Sequence, residues 1–159
     1  MMGTGKTTVG RLLADRLGRP LCDSDELIET RTGRTVREIF ETDGEATFRD
    51  LEAEALVDAL ADERPTVIAA AGGVVLREAN RIALREATVV WLTAETRVLA
   101  ARVRSGDHRP QLGDDPLARL EELLPERLPL YEEVADVVVD TAAMPVEAVA
   151  DRIVELLDG

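Results

Sequence analysis

The sequence predicts an α/β fold, a parallel sheet flanked by helices in three layers, and three observations predict it. Short apolar runs of strand length alternate with longer amphipathic stretches throughout the chain, the pattern of strands joined by crossover helices. A glycine-rich turn opens directly into a helix near the N-terminus. The chain has 159 residues, 45% of them hydrophobic, which supplies one packed core and so one domain over residues 1–159.

From Thr7 onward Val9, Leu12, Leu13 and Leu17 recur at helical spacing, and Gly18 with Pro20 ends that helix. Pro20 to Cys22, Val67 to Ala71, Val89 to Leu92 and Val137 to Val139 read as strands. In the longest early helix Phe48, Leu51, Ala55, Ala59 and Leu60 line one face, which leaves Arg49, Asp50, Glu52 and Asp58 largely off it. Ser105 to Asp115 holds glycines, a proline and the lone histidine, His108, with little apolar content. It reads as a lid loop between two helices. No repeat, low-complexity tract or linker divides the chain.

Charge and length exclude several classes. A net charge of -13 repels phosphate backbones and argues against a general nucleic-acid binder, so any phosphate must be held locally. The apolar runs fall far below the roughly 20 residues needed to cross a bilayer. Cys22 is the single cysteine and forms no internal disulfide, and no leader pattern opens the sequence, so a cytoplasmic location is expected.

Gly3, Gly5, Lys6 and Thr7 spell G-x-G-K-T at the mouth of the first helix, the second half of the phosphate-binding loop G-x-x-x-x-G-K-[ST]. Glycines allow backbone N–H groups to turn inward around an anion, and the helix N-terminus adds its partial positive charge. Lys6 supplies a full charge and Thr7 a hydroxyl for magnesium. An ordinary glycine turn capping a helix is the alternative, and the pattern's first glycine would fall one position before Met1. Asn80 is the sole asparagine and Arg81 follows it, so the Asn-Lys-x-Asp element of a guanine-specific GTPase is absent. Neither Val67 to Ala71 nor Val89 to Leu92 closes on an acid, as a motor-type ATPase requires. Asp23 and Asp25, directly after a predicted strand, are the acids that the carboxyl end of an open parallel sheet would place beside the loop.

Taken together these motifs resemble the shikimate kinase family over nearly the whole chain. The resemblance rests on G-T-G-K-T-T at Gly3 to Thr8, D-S-D at Asp23 to Asp25, T-F-R at Thr47 to Arg49, and A-G-G at Ala71 to Gly73. It continues with R-P-Q-L at Arg109 to Leu112 and E-R-L-P-L-Y at Glu126 to Tyr131. It implies the P-loop kinase fold and magnesium-dependent transfer of the terminal phosphoryl group of ATP to the 3-hydroxyl of shikimate, a step of aromatic amino acid (chorismate) biosynthesis. By the same resemblance Gly3, Thr4, Gly5, Lys6, Thr7 and Thr8 bind ATP, with Arg102 bordering the adenine and Arg109 reaching over the transferring phosphate. Asp25 binds and activates the acceptor hydroxyl. Arg49 and Arg127 grip the substrate carboxylate, while Gly72 and Gly73 let backbone approach it. Thr7 and Asp23 serve the magnesium, Asp23 through water, and the enzyme is a monomer.

Plainer readings stand beside these. Arg49 and Arg127 could be solvated surface arginines, and Asp23 could serve solely as a helix cap. His108 alone makes no metal site, and Cys22 and Trp91 read as core. The sequence also departs from the family. The family places a central strand before the phosphate loop, so the middle of the sheet is expected to be lacking here, and a start assigned roughly ten residues too late would explain it. Ala71 replaces a glycine, tolerable where φ is not positive. Pro125 should end or kink the helix carrying Arg127. A gluconate kinase or another small-metabolite kinase, or a catalytically silent nucleotide binder, are the alternative functions.

Overall fold

The computed structural model describes residues 3–105 and 115–158. Helix α1 (Lys6–Leu17) leads to β1 (Leu21–Asp23), α2 (Ser24–Thr32), α3 (Val36–Leu60) and β2 (Val67–Ala69). A short 3-10 turn (Val74–Leu76) and α4 (Glu78–Leu84) precede β3 (Val90–Thr93), and then come α5 (Thr96–Ser105), α6 (Pro116–Val134), β4 (Val137–Asp140) and α7 (Val146–Asp158). The expected alternation is present, and Asp23 and Asp140 belong to their strands as the last residues.

Local chemistry sets the helix boundaries. Asp23 caps α2 by accepting from the N–H groups of Asp25 and Glu26. Thr35 and Glu38 form a reciprocal capping box at the start of α3. Gly44, at φ 84° and ψ 173°, kinks α3, so its two segments present different faces to the core. Of the expectation that Pro125 would end or kink its helix, the first half is corrected: α6 continues through Pro125 and Pro129 to Val134. Each proline removes one backbone hydrogen bond. The helix is held from outside instead, with Leu120, Leu124, Arg127 and Tyr131 buried along one side.

β1 pairs in parallel with β2, Cys22 opposite Ile68, and β3 pairs in parallel with β4, Trp91 opposite Val138. Among the described residues β2 and β3 do not pair with each other, so the strands form two parallel pairs. One core joins α1, β3, β4 and α7 through Val9, Leu13, Leu92, Val139, Val149 and Ile153. Another joins α3, α4, α5 and α6 through Leu56, Leu84, Leu99, Leu120 and Leu124. The helices thus cover both faces of the strands.

Between the two strand pairs lies a cavity of about 670 Å³, lined among others by Val9, Leu13, Val67, Ala69, Val90 and Leu92. A strand residue inside a layered fold occupies about 160 Å³, from a rise of about 3.3 Å, a strand spacing of about 4.8 Å and a layer spacing of about 10 Å. The cavity therefore has the room of about four strand residues, close to the length of β2 and β3. No helix of the described residues is long and apolar enough to cross a membrane.

Candidate active site

The four strands end on the same functional edge, where the connecting segments carry the predicted residues. Gly3 and Gly5 adopt φ 75° and 78°, left-handed backbone that glycine takes without a Cβ penalty. At Gly3 a Cβ would also stand 2.8 Å from the Leu99 carbonyl oxygen. That contact presses the loop onto α5. Gly5 is the N-cap of α1, Lys6 its first residue, and Thr7 and Thr8 complete its opening turn. Thr4 is buried within the loop.

Thr7 and Asp23 come together: the Thr7 hydroxyl donates to Asp23 Oδ2 at 2.6 Å. The other carboxylate oxygen, Oδ1, accepts from the N–H of Asp25 at 3.0 Å and of Glu26 at 3.3 Å. Asp23 is thus a helix cap through one oxygen and the partner of the phosphate-loop threonine through the other. The two readings of this residue are compatible. Among the described residues no cluster of three or more His, Cys, Asp or Glu side chains could hold a metal. A hydroxyl beside a single carboxylate suits magnesium, a hard cation that keeps water and phosphate oxygens as its other ligands.

Asp25 follows in the first turn of α2, and its Oδ1 is shielded from solvent. Around it the structure gathers charge where the helical pattern predicted a solvated face. Arg49 is 8% exposed and Glu52 1%, so the surface reading of Arg49, and the placing of both off the buried side of α3, are corrected. The second half of α3 buries Arg49 and Glu52 beside Phe48, Ala55, Leu56 and Ala59. Arg49 Nη1 donates to both Glu52 oxygens, at 3.0 and 3.1 Å, and Nη2 donates to Glu45 at 3.0 Å. Its Nε is buried with no hydrogen-bond partner among the described residues.

Burial pushes the Glu52 carboxyl above its ordinary range; Arg49 opposes that shift, Asp25 adds to it and Arg127 opposes it. These four charges therefore share one electrostatic neighbourhood. Arg127 is 7% exposed, so its surface reading is corrected as well. Gly73 completes the corner: a Cβ there would lie 1.8 Å from Arg49 Nη1, so any side chain at Gly73 would displace the guanidinium. Gly72 offers its carbonyl to the Tyr131 hydroxyl at 2.7 Å. Ala71 is tolerated as expected, since no described residue other than glycine has positive φ, and its N–H donates to the Ser24 hydroxyl at 2.9 Å.

Arg102 projects from α5 to the end of β4. Its Nη1 donates to the Thr141 hydroxyl at 2.8 Å and its Nη2 to the Thr141 carbonyl at 2.6 Å. Thr141 in turn donates to the Thr93 carbonyl at 3.1 Å, which ties Arg102 to the last turns of β3 and β4. Arg109 and His108 lie outside the described residues, as does most of the predicted lid. Cys22 is half-buried, and burial raises its thiol pKa, so it behaves as packing. Trp91 packs against the core that contains Leu56 and Tyr131.

Sequence reasoning missed Glu52, Tyr131 and Thr141. An acid one helical turn after Arg49 and an aromatic hydroxyl one turn after Arg127 were the available signals for the first two. Thr141 had no local signal.

The model of the family described as shikimate kinase matches residues 2–158. A curated shikimate kinase of Halorhodospira halophila is 49% identical over 160 residues, covering 99% of this chain and 90% of the relative. The solved shikimate kinase of Acinetobacter baumannii, in complex with shikimate, superposes with a TM-score of 0.93 at 38% identity, covering 98% of this chain and 88% of that one. A gluconokinase of Sinorhizobium meliloti superposes at 0.58 with 22% identity, covering 99% of this chain and 91% of that one. That last likeness concerns the fold alone.

Proposed function

This chain belongs to the shikimate kinase family, and from that premise we propose that it transfers the γ-phosphoryl group of ATP to the 3-hydroxyl of shikimate through the residues described above. The observation that carries the residue roles is the buried Arg49 side chain, whose Nε has no partner among the described residues while Arg127 and Asp25 act on the same Glu52 carboxyl. An acceptor bearing a carboxylate near hydroxyls satisfies all three groups.

Backbone N–H groups of Gly3 to Lys6 and the N-terminus of α1 cradle the ATP phosphates, and Lys6 offsets the charge that develops at the transferring group. Thr8 contacts the phosphates from the first turn, and Arg102 borders the adenine. Thr7, and Asp23 through water, would hold magnesium, which would supply neutralisation of the phosphate charge. Arg49 and Arg127 grip the carboxylate with planar forks, and the Gly72–Gly73 backbone approaches the ring. Asp25 orients the 3-hydroxyl and accepts its proton as that oxygen bonds to the γ-phosphorus. The bond from that phosphorus to the bridging oxygen breaks, and ADP leaves with the electron pair. Arg109, outside the described residues, would offset charge on the transferring phosphate, as the family resemblance implies.

On this reading residues 1–159 are one kinase domain, acting as a cytoplasmic monomer on small molecules with no nucleic-acid or membrane partner. The test is product identity together with one variant. Phosphorus NMR should show a shikimate monophosphate on the 3-oxygen, and Asp25→Asn should lower kcat by about 10²- to 10⁴-fold with ATP binding retained. An Asp25→Asn enzyme with parental kcat would remove Asp25 from proton transfer.

A further inference from the structure

We propose that Tyr131 is a positioning residue for the acceptor: its hydroxyl locks the Gly72–Gly73 peptide in one orientation and ties that peptide to the helix bearing Arg127. The proposal rests on the acceptor site proposed above and assigns a further residue to it. Tyr131 lies four positions after Arg127 in α6, on the same helical face, and is 6% exposed. Its hydroxyl donates to the Gly72 carbonyl at 2.7 Å, across 59 residues of sequence. Its ring stacks on Trp91 in β3, with centroids 5.5 Å apart and planes 19° from parallel. The indole fixes the ring and the ring fixes the hydroxyl.

The chemistry of a trans peptide does the rest. The carbonyl of one residue and the N–H of the next point in opposite directions across one rigid plane. Holding the Gly72 oxygen therefore also fixes the direction of the Gly73 N–H. A peptide flanked by two glycines has no Cβ on either side to resist rotation as a unit, so an external anchor is needed to keep it in one state. Tyr131 is the described side chain hydrogen-bonded to that oxygen. Gly73 in turn packs against Arg49 so closely that a Cβ would clash. One hydroxyl thus sets the spacing between the Arg127 helix, the glycine turn and the Arg49 fork. Burial raises the phenol above its ordinary range, which keeps it a donor at neutral pH.

Tyr131→Phe deletes one oxygen and leaves the ring on Trp91. The expected result is a shikimate KM raised on the order of tenfold, from a part-buried carbonyl left without its donor, with kcat and the KM for ATP changed less than about threefold. A merely structural role would lower the melting temperature and leave the shikimate KM as in the parent, and that outcome would overturn the proposal. A second readout needs no turnover. In the substrate-free protein the Gly73 amide should give one sharp ¹⁵N–¹H signal in the parent and a broadened or doubled one in Tyr131→Phe; an unchanged signal would also overturn it. Should the variant fail to fold, 3-fluorotyrosine labels the single tyrosine of the chain. Its ¹⁹F resonance should then move on adding shikimate and stay fixed on adding ATP, and a resonance indifferent to shikimate would contradict the role. Lack of shikimate turnover in the parent would count against the proposed acceptor, while the substrate-free amide signal would still decide the role of Tyr131.

Discussion

In the acceptor corner Arg49, Glu52, Arg127 and Tyr131 are polar or charged, yet all are buried, whereas the space between β2 and β3 is walled by Val9, Leu13, Val67 and Leu92 and remains a cavity of about 670 Å³. In the corner Arg49 and Glu52 hold each other, since an unmatched buried charge is costly. In the cavity the lining side chains lose dispersion contacts that close packing normally provides. On the proposed reading, specificity rests on the corner and the cavity bears on stability, so each can be disturbed without the other.

The largest effect should come from filling the cavity. Filling closed apolar space is worth about 24 cal/mol per Å³, against about 1.5 kcal/mol of ordering entropy for each added residue. A variant with an engineered N-terminal extension of four to five apolar β-branched residues should shift its urea midpoint upward by a net several kcal/mol. The same extension interrupted by proline, which cannot donate to a strand edge, should not. Equal midpoints for the two extensions would mean that the strand pairs close on each other in solution.

Next in size is the carboxylate grip. Arg49→Lys replaces a planar fork with a point charge and should raise the shikimate KM about 10- to 100-fold, the equivalent of one or two charge-assisted hydrogen bonds. The urea midpoint should move far less than in the cavity experiment. A parental KM in Arg49→Lys would take the residue out of the corner.

The smallest effect is a pH dependence. Burial outweighs Arg49 and raises the Glu52 carboxyl above its ordinary value of 4.5, so the folded chain holds this proton more tightly than the unfolded chain. The stability linked to that proton is fully present below the unfolded value and is lost as pH rises through the folded one. The unfolding free energy of the parent relative to Glu52→Gln should therefore decline as pH rises from about 4.5 toward neutrality. A flat difference across that range would mean that Arg49 fully compensates the burial of Glu52.

How much was legible in the sequence follows the same division. The phosphate loop, the cap at Asp23 and the helix and strand order were readable because each depends on neighbours a few residues away. The burial of Arg49 and Glu52 was not readable from the helical pattern, because the apolar face at Phe48, Leu51, Ala55, Ala59 and Leu60 marks one packed side of α3 and gives no sign of a charged one beside it. The link from Tyr131 to Gly72 spans 59 residues, and nothing local announces it. Pro125 misled for a related reason: propensity describes an isolated helix, while α6 is held by four buried side chains of its own.

The most direct test of the central claim is ADP release from ATP and magnesium, measured with shikimate, with gluconate and without acceptor. This account predicts turnover with shikimate well above both other reactions. Equal release in all three, or release driven by gluconate instead, would contradict it.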